Sequence, residues 1–203
     1  MKIVKDINIS RYILEPGDYY VTDKRVVIKT LLGSCVAACL FDPVNRIMGM
    51  NHFLLGSEKK GLEGSLITSE SGRYGINAME LIINGMLKLG ALKKNIKAKA
   101  FGGGNVLNFA KDFEAQYNVG DLNSRFIKEF LETEKIPLVA SDLGGNRGRV
   151  ILFHGQDYTV FVRKIGQYDT TKIADRDSSY WKATKQKKWQ LTPEVELWSK
   201  KDN

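Results

Sequence analysis

The chain contains two cysteines, Cys35 and Cys39, and two histidines, His52 and His154. Cys35 and His52 are the pair whose chemistry deserves a test against spacing. A thiol that gives its proton to an imidazole attacks a carbonyl carbon, and the imidazolium then protonates the departing nitrogen. CVAACLF, DPVN and IMGMNHFLL read in succession as strand, turn and strand, a β-hairpin. With Asp42 to Asn45 as the turn, Phe41 faces Arg46, Cys39 faces Met48, Ala37 faces Met50 and Cys35 faces His52. Directly opposed Cβ atoms lie about 4.5–5.5 Å apart, which would let thiol and ring meet. A slip of one residue would turn His52 to the other face. The preceding Leu32-Gly33-Ser34 offers backbone N–H groups that, if they converge, would stabilise an oxyanion. The same pair also fits a buried thiol and a hydrogen-bonded histidine without a catalytic role, since free cysteine is among the most buried residue types.

The other reactive side chains fit bland roles. Cys39, between Ala38 and Leu40, reads as an inert core thiol. On a strand the two cysteines would lie about 13 Å apart, beyond the roughly 7 Å a disulfide tolerates. Thiols without a disulfide framework suit a reducing compartment. His154, after Phe153 at a strand end, reads as structural, and the cysteines and histidines together lack a zinc spacing. No carboxylate pair has the spacing of a glycosidase.

Several elements must position the hairpin. RVVIKTLL, from Arg25, is a β-branched strand that ends at Gly33. Residues 56 to 72 are polar and Gly/Ser-rich, an exposed loop. RYGINAMELIINGMLKLGA places Ile76, Met79, Ile83, Met86 and Leu87 at helical spacing, a core-facing helix that stops near Gly90. IKAKAF alternates and then enters Gly102, Gly103 and Gly104. GGGNVL lacks both the dinucleotide fingerprint and the P-loop Lys-Ser/Thr, so its glycines point to close backbone approach or positive φ. A second helix starts near Asp121 or Asn123, either a suitable N-cap, and carries Leu122, Phe126, Phe130 and Leu131 on one side before Pro137. PLVASD, RVILFH and DYTVFVRKI follow as strands. Helices interrupt strands without regular βα alternation, the pattern of an α+β fold.

At 203 residues, 43% hydrophobic and 27% charged, the chain suits one core-bearing domain, over residues 1–165, with a C-terminal extension over 166–203. That extension mixes Lys182, Lys185, Lys187 and Lys188 with Tyr180, Trp181, Trp189 and Trp198, and its aromatics favour packing back on the domain. No run approaches the roughly 18–20 apolar residues of a membrane span, and no leader is expected. The net charge of +8 suits an acidic partner, while nucleic acid is not expected without a recognition motif.

TLLGSCVAACLFDP with GMNHFLL, then RYGINAMELIINGMLKLGA, AKAFGGGNVL, VGDLNSRF and SDLGGNRGRV, resemble in that order successive blocks of the CheD family of chemoreceptor glutamine deamidases, over most of residues 20–165. The resemblance implies a mixed-sheet α/β/β sandwich-like cysteine deamidase fold. By it Cys35 matches the catalytic cysteine, His52 the catalytic histidine and Thr30 the third residue of the set. It further implies hydrolysis of selected receptor glutamines to glutamate and ammonia through a thioester, with no metal or organic cofactor. The implied partners are the cytoplasmic helical region of methyl-accepting chemotaxis receptors and a CheC-type phosphatase, and the implied location is cytoplasmic. The alternative is a non-catalytic chemotaxis adaptor that binds receptor or the CheC phosphatase. Gly56 departs from the family pattern, where proline commonly follows HFLL.

Overall fold

A computed structural model of the chain describes residues 1–5, 10–55, 65–106, 119–166, 172–173 and 175–180. Gly56, most of the polar loop, and the Lys/Trp-rich residues 181–203 lie outside these. The described residues hold ten strands and two longer α-helices, with further helical residues at 172–173 and 175–180. One sheet holds β1 (Lys2–Lys5), β2 (Ser10–Leu14), β4 (Val27–Leu32), β9 (Arg149–His154) and β10 (Val160–Lys164), in that order. The other runs β3 (Tyr19–Thr22), β6 (Ile47–Asn51), β5 (Val36–Asp42), β7 (Lys97–Gly102), β8 (Leu138–Leu143). β2 with β4 and β7 with β8 pair in parallel, and the remaining pairs are antiparallel. The fold is α+β.

Alternation along β5 divides the core in two. Val36, Ala38 and Leu40 point to a cluster with Met79, Ile82, Met86, Phe126 and Phe130 of helices α1 (Glu70–Lys88) and α2 (Val119–Thr133). Cys35, Ala37 and Cys39 point the other way, against Ile28, Leu32, Ile151 and Phe153 of the first sheet. Three layers result: helices, second sheet, first sheet. β5 is covered on both faces and buried throughout, which is why it reads as a continuous apolar run rather than an alternating one.

The helices begin earlier than their sequence signals. α1 starts at Glu70, where the Ser69 side chain accepts from the Gly72 N–H at 2.9 Å. Its buried stripe includes Met79, Ile82, Ile83 and Met86, while Leu87, expected on that face, is exposed. α2 starts at Val119, so Asp121 and Asn123 lie inside its first turns rather than capping it. The short strands β1 to β3 carry too few residues for periodicity to announce them.

The hairpin register differs from the expected one by two residues. Cys39 pairs with Met50, Leu40 with Gly49, Phe41 with Met48 and Asp42 with Ile47. Asp42 is the cause. It stays in the strand while its Oδ1 accepts the N–H groups of Val44 and Asn45 at 2.9 and 3.0 Å, and Oδ2 accepts from Asn45 Nδ2 at 2.8 Å. The turn therefore moves to residues 43–46 and closes with Arg46 at φ 58°. A two-residue shift preserves faces, so Cys35 and His52 both still point between the sheets, but as diagonal neighbours rather than as an opposed pair.

Candidate functional site

His52 stands where β6 leaves β5. The ladder is interrupted at Asn51, whose side-chain Oδ1 accepts the Ala38 N–H at 2.9 Å while its Nδ2 donates to Ala78 O at 3.0 Å. The chain then rejoins β5 through Val36 and Phe53, which exchange hydrogen bonds of 3.0 and 2.9 Å. In the gap, the backbone of His52 turns to the β2–β3 loop: its N–H donates to Asp18 O at 2.9 Å and its carbonyl accepts from Gly17 N–H at 2.8 Å.

The His52 ring meets Thr30. Thr30 faces inward from β4, and its Oγ1 lies 2.7 Å from His52 Nδ1 and 2.7 Å from Leu14 O. A hydroxyl has one proton. Leu14 O can only accept, so that proton goes to Leu14 and the lone pairs of Oγ1 receive the proton of Nδ1. The ring is thereby set as the Nδ1–H tautomer, and the lone pair falls on Nε2. His52 Nε2 is buried and has no hydrogen-bond partner. Burial, followed by the charge of Arg176, lowers the pKa of His52 to about 4, so the ring is neutral near pH 7. These properties leave His52 a neutral imidazole whose accepting atom is unspent.

Cys35 precedes β5 on a backbone held from two directions. Gly103 N–H donates to Cys35 O and Gly104 N–H to Gly33 O, each at 2.7 Å. Gly102 and Gly103 have φ of 112° and 64°, and a Cβ on Gly102 would run into Cys35 O. The triple glycine thus serves close approach and positive φ, and what it approaches is the backbone of Cys35. From α2, the buried Asn123 donates through Nδ2 to Ser34 O at 2.8 Å and accepts through Oδ1 from Leu55 N–H at 2.8 Å. One amide thus ties the residue before Cys35 to the segment just after His52.

The thiol meets an unexpected group. Asp177, from the helical residues 175–180, accepts through Oδ2 from both the N–H and the Oγ of Ser34 at 2.9 Å each. Burial, then the charge of Asp177, pushes the Cys35 thiol well above its usual range. Cys35 is therefore a thiol here, not a thiolate, and it is bonded neither to His52 Nε2 nor to Cys39. Cys35, His52 and Thr30 are 0%, 1% and 1% exposed, so no solvent path reaches the sulfur.

The structure thus brings Thr30 and His52 into direct contact and sets Cys35 on the same face one diagonal step away. It does not oppose Cys35 to His52 across the hairpin. Asn123, Gly102 and Asp177 were not singled out by sequence for this site. Asn123 was read as a cap, and its place one turn into an otherwise amphipathic helix, among buried apolar positions, was the available signal. Asp177 lies in a segment without a motif. His154 packs edge-on to Phe161 at 5.0 Å, away from the trio. Among the described residues no group of three or more His, Cys, Asp or Glu could hold a metal ion, and no helix is long and apolar enough to cross a membrane.

Fold and site together define an α+β domain with a buried thiol, imidazole and hydroxyl gathered at the seam between two sheets. Residues 60–164 match the family model described as CheD chemotactic sensory transduction. Similar chains include "Probable chemoreceptor glutamine deamidase CheD 1" of Geobacter sulfurreducens, 45% identical over 91% of this chain and 92% of that protein. "Probable chemoreceptor glutamine deamidase CheD 2" of Shewanella oneidensis is 46% identical over 81% and 82%, and the corresponding Methylobacillus flagellatus protein is 42% identical over 95% and 92%. The chain belongs to the CheD family.

Proposed function

We propose that this chain is a protein-glutamine deamidase that hydrolyses selected glutamine side chains of chemotaxis receptors to glutamate and ammonia, with Cys35 as nucleophile, His52 as base and acid, and Thr30 as the residue that orients His52. The observation that carries the reading is the free, buried Nε2 of a His52 whose other nitrogen is fixed by Thr30. A base must keep its accepting atom unbonded until substrate and nucleophile arrive, and an imidazole needs its second nitrogen anchored to keep one tautomer.

In this mechanism His52 Nε2 takes the Cys35 proton as sulfur attacks the glutamine side-chain carbonyl. The tetrahedral intermediate collapses when Nε2–H protonates the nitrogen, which leaves as ammonia, and a thioester remains on Cys35. Water gives a proton to Nε2 and adds to the thioester carbonyl. Expulsion of the sulfur, with return of that proton, frees glutamate. Because thiol and imidazole both start neutral, proton transfer accompanies attack rather than preceding it. The partners in this reading are the cytoplasmic helical region of the receptor, whose acidic surface suits a net charge of +8, and, by family resemblance, a CheC-type phosphatase.

The test incubates the purified chain with cytoplasmic fragments of receptors from its own source and follows glutamine-to-glutamate conversion by mass spectrometry. Site-specific conversion lost in Cys35→Ala is expected. Receptor binding without conversion would replace the enzyme with an adaptor, and conversion by Cys35→Ala at the wild-type rate would refute the nucleophile.

A further inference from the structure

The buried carboxylate of Asp177 has no part in the mechanism above, yet it sits at its centre. Its Oδ2 accepts two hydrogen bonds from Ser34, the residue directly before the thiol. The segment that carries it is seated at three further points. Ile173 is buried against Gly33 and Gly148, so closely that a Cβ on either glycine would strike it. Arg176 donates through Nη2 to Leu31 O and to Asp177 Oδ1, each at 2.9 Å. Tyr180 lies over Gly17, the residue whose N–H holds the His52 carbonyl. The described residues of the segment therefore reach from the loop before Cys35 to the loop behind His52, and they cover both.

Resting on the deamidase reading, we infer that the Ser34 N–H and Oγ beside Cys35 form the subsite for the oxygen of the substrate's side-chain carboxamide, and that Asp177, carried by the helical residues 175–180, fills it in the resting chain as a tethered mimic of the product carboxylate. The chemistry of the group supports this. Deamidation ends with a carboxylate one bond from the nucleophile, so a subsite that receives the carboxamide oxygen must also hold, and release, a carboxylate. Asp177 presents that group on a short side chain from the same polypeptide, where tethering keeps its effective concentration high. A negative charge at this place also favours the protonated thiol, so the mimic blocks access and quiets the nucleophile together. A receptor helix that carries a target glutamine must displace the segment, and its binding is weakened by the fraction of time the subsite is closed.

The experiment measures carbamidomethylation of Cys35 in the full-length chain by peptide mass spectrometry, with the core thiol Cys39 as internal control for the fold. Rates are followed across pH, so that the plateau rate reports access and the midpoint reports thiol acidity. Asp177→Ala is expected to raise the plateau rate at Cys35 about tenfold or more, as for a site otherwise open a tenth of the time or less, with Cys39 unchanged. It is also expected to raise kcat/KM on receptor fragments. Should Asp177→Ala label Cys39 as well, the decision passes to Arg176→Ala, which loosens the segment without emptying a core position. An unchanged Cys35 plateau in a variant whose Cys39 stays protected overturns the mimic. Parallel labelling of both thiols in both variants makes the segment a strut of the fold and overturns it too. Labelling needs no receptor, so a wild-type chain that deamidates nothing removes the proposed function while this readout still decides whether the thiol is covered.

Discussion

At the scale of single residues, the orientation of one imidazole depends on one hydroxyl. Thr30 Oγ1 has no apolar reason to sit in the inward row of β4 between Ile28 and Leu32. Its two contacts at 2.7 Å explain it, because they fix which nitrogen of His52 carries the proton. Thr30→Val keeps the shape and removes the acceptor. The expected outcome is a fall in kcat on the order of tenfold to a hundredfold, as when the partner that orients a histidine is lost. KM should change little, since Thr30 is not placed to touch substrate, and Thr30→Ser should restore most of the rate. Steady-state kinetics on a receptor fragment separates these. Sequence alone could name Thr30 only by resemblance, because the hydrogen bond joins β4 to the end of β6 across the space between two sheets. Cys35 and His52 were legible from residue type, but the assumed turn at Asp42 misjudged their pairing by two residues. A side chain that caps a turn from inside the strand moves the turn without changing the apolar pattern on which the register was based.

At the scale of elements, the site depends on a helix that contributes no reacting group. α2 reaches across with Asn123, and both ends of that amide are used. Asn123→Leu keeps the volume and leaves Ser34 O and Leu55 N–H buried without partners. It is expected to cost about 2–3 kcal/mol, measured as a lower urea midpoint at unchanged m, and to lower activity more than the lost stability explains, because Cys35 and His52 are released from one another. The apolar faces of both helices were readable because each repeats its period over two or more turns, and the strands from β4 onward because each is a short apolar or alternating run bounded by turn residues. Asn123 was visible as a residue but not as a strut, since a polar side chain in a helix shows its partners only after the helix has docked. β1 to β3 escaped because strands of four or five residues gain their stability from neighbours distant in sequence.

At the scale of the molecule, burying ionisable groups at the seam ties stability to pH. His52, with its pKa lowered to about 4 from 6.5, takes up a proton more readily in the unfolded chain. Its contribution is complete above pH 6.5 and is lost as pH falls from there toward 4, a change of about 3 kcal/mol. Cys35 and Cys39 are shifted the other way, mainly by burial. Unfolded thiols ionise near pH 9 while these stay protonated, so stability also falls as pH rises through 9. Denaturation midpoints across pH should therefore show a plateau between about 6.5 and 8.5 with a decline on each side, and His52→Gln should flatten the acid limb alone. The pairing of β4 with β2 in parallel on one edge and with β9 in antiparallel on the other sets a timetable as well as a shape. On one edge Thr30 lies beside Leu14, and on the other beside Ile151, so during synthesis from the N-terminus the strand that orients His52 waits with an open edge until nearly the whole domain has been made. Contacts of such separation form slowly and leave strand edges exposed meanwhile, so newly made chains should lean on chaperones more heavily than their size suggests, and a ribosome stalled before β9 would display a thiol and an imidazole that have not yet been introduced.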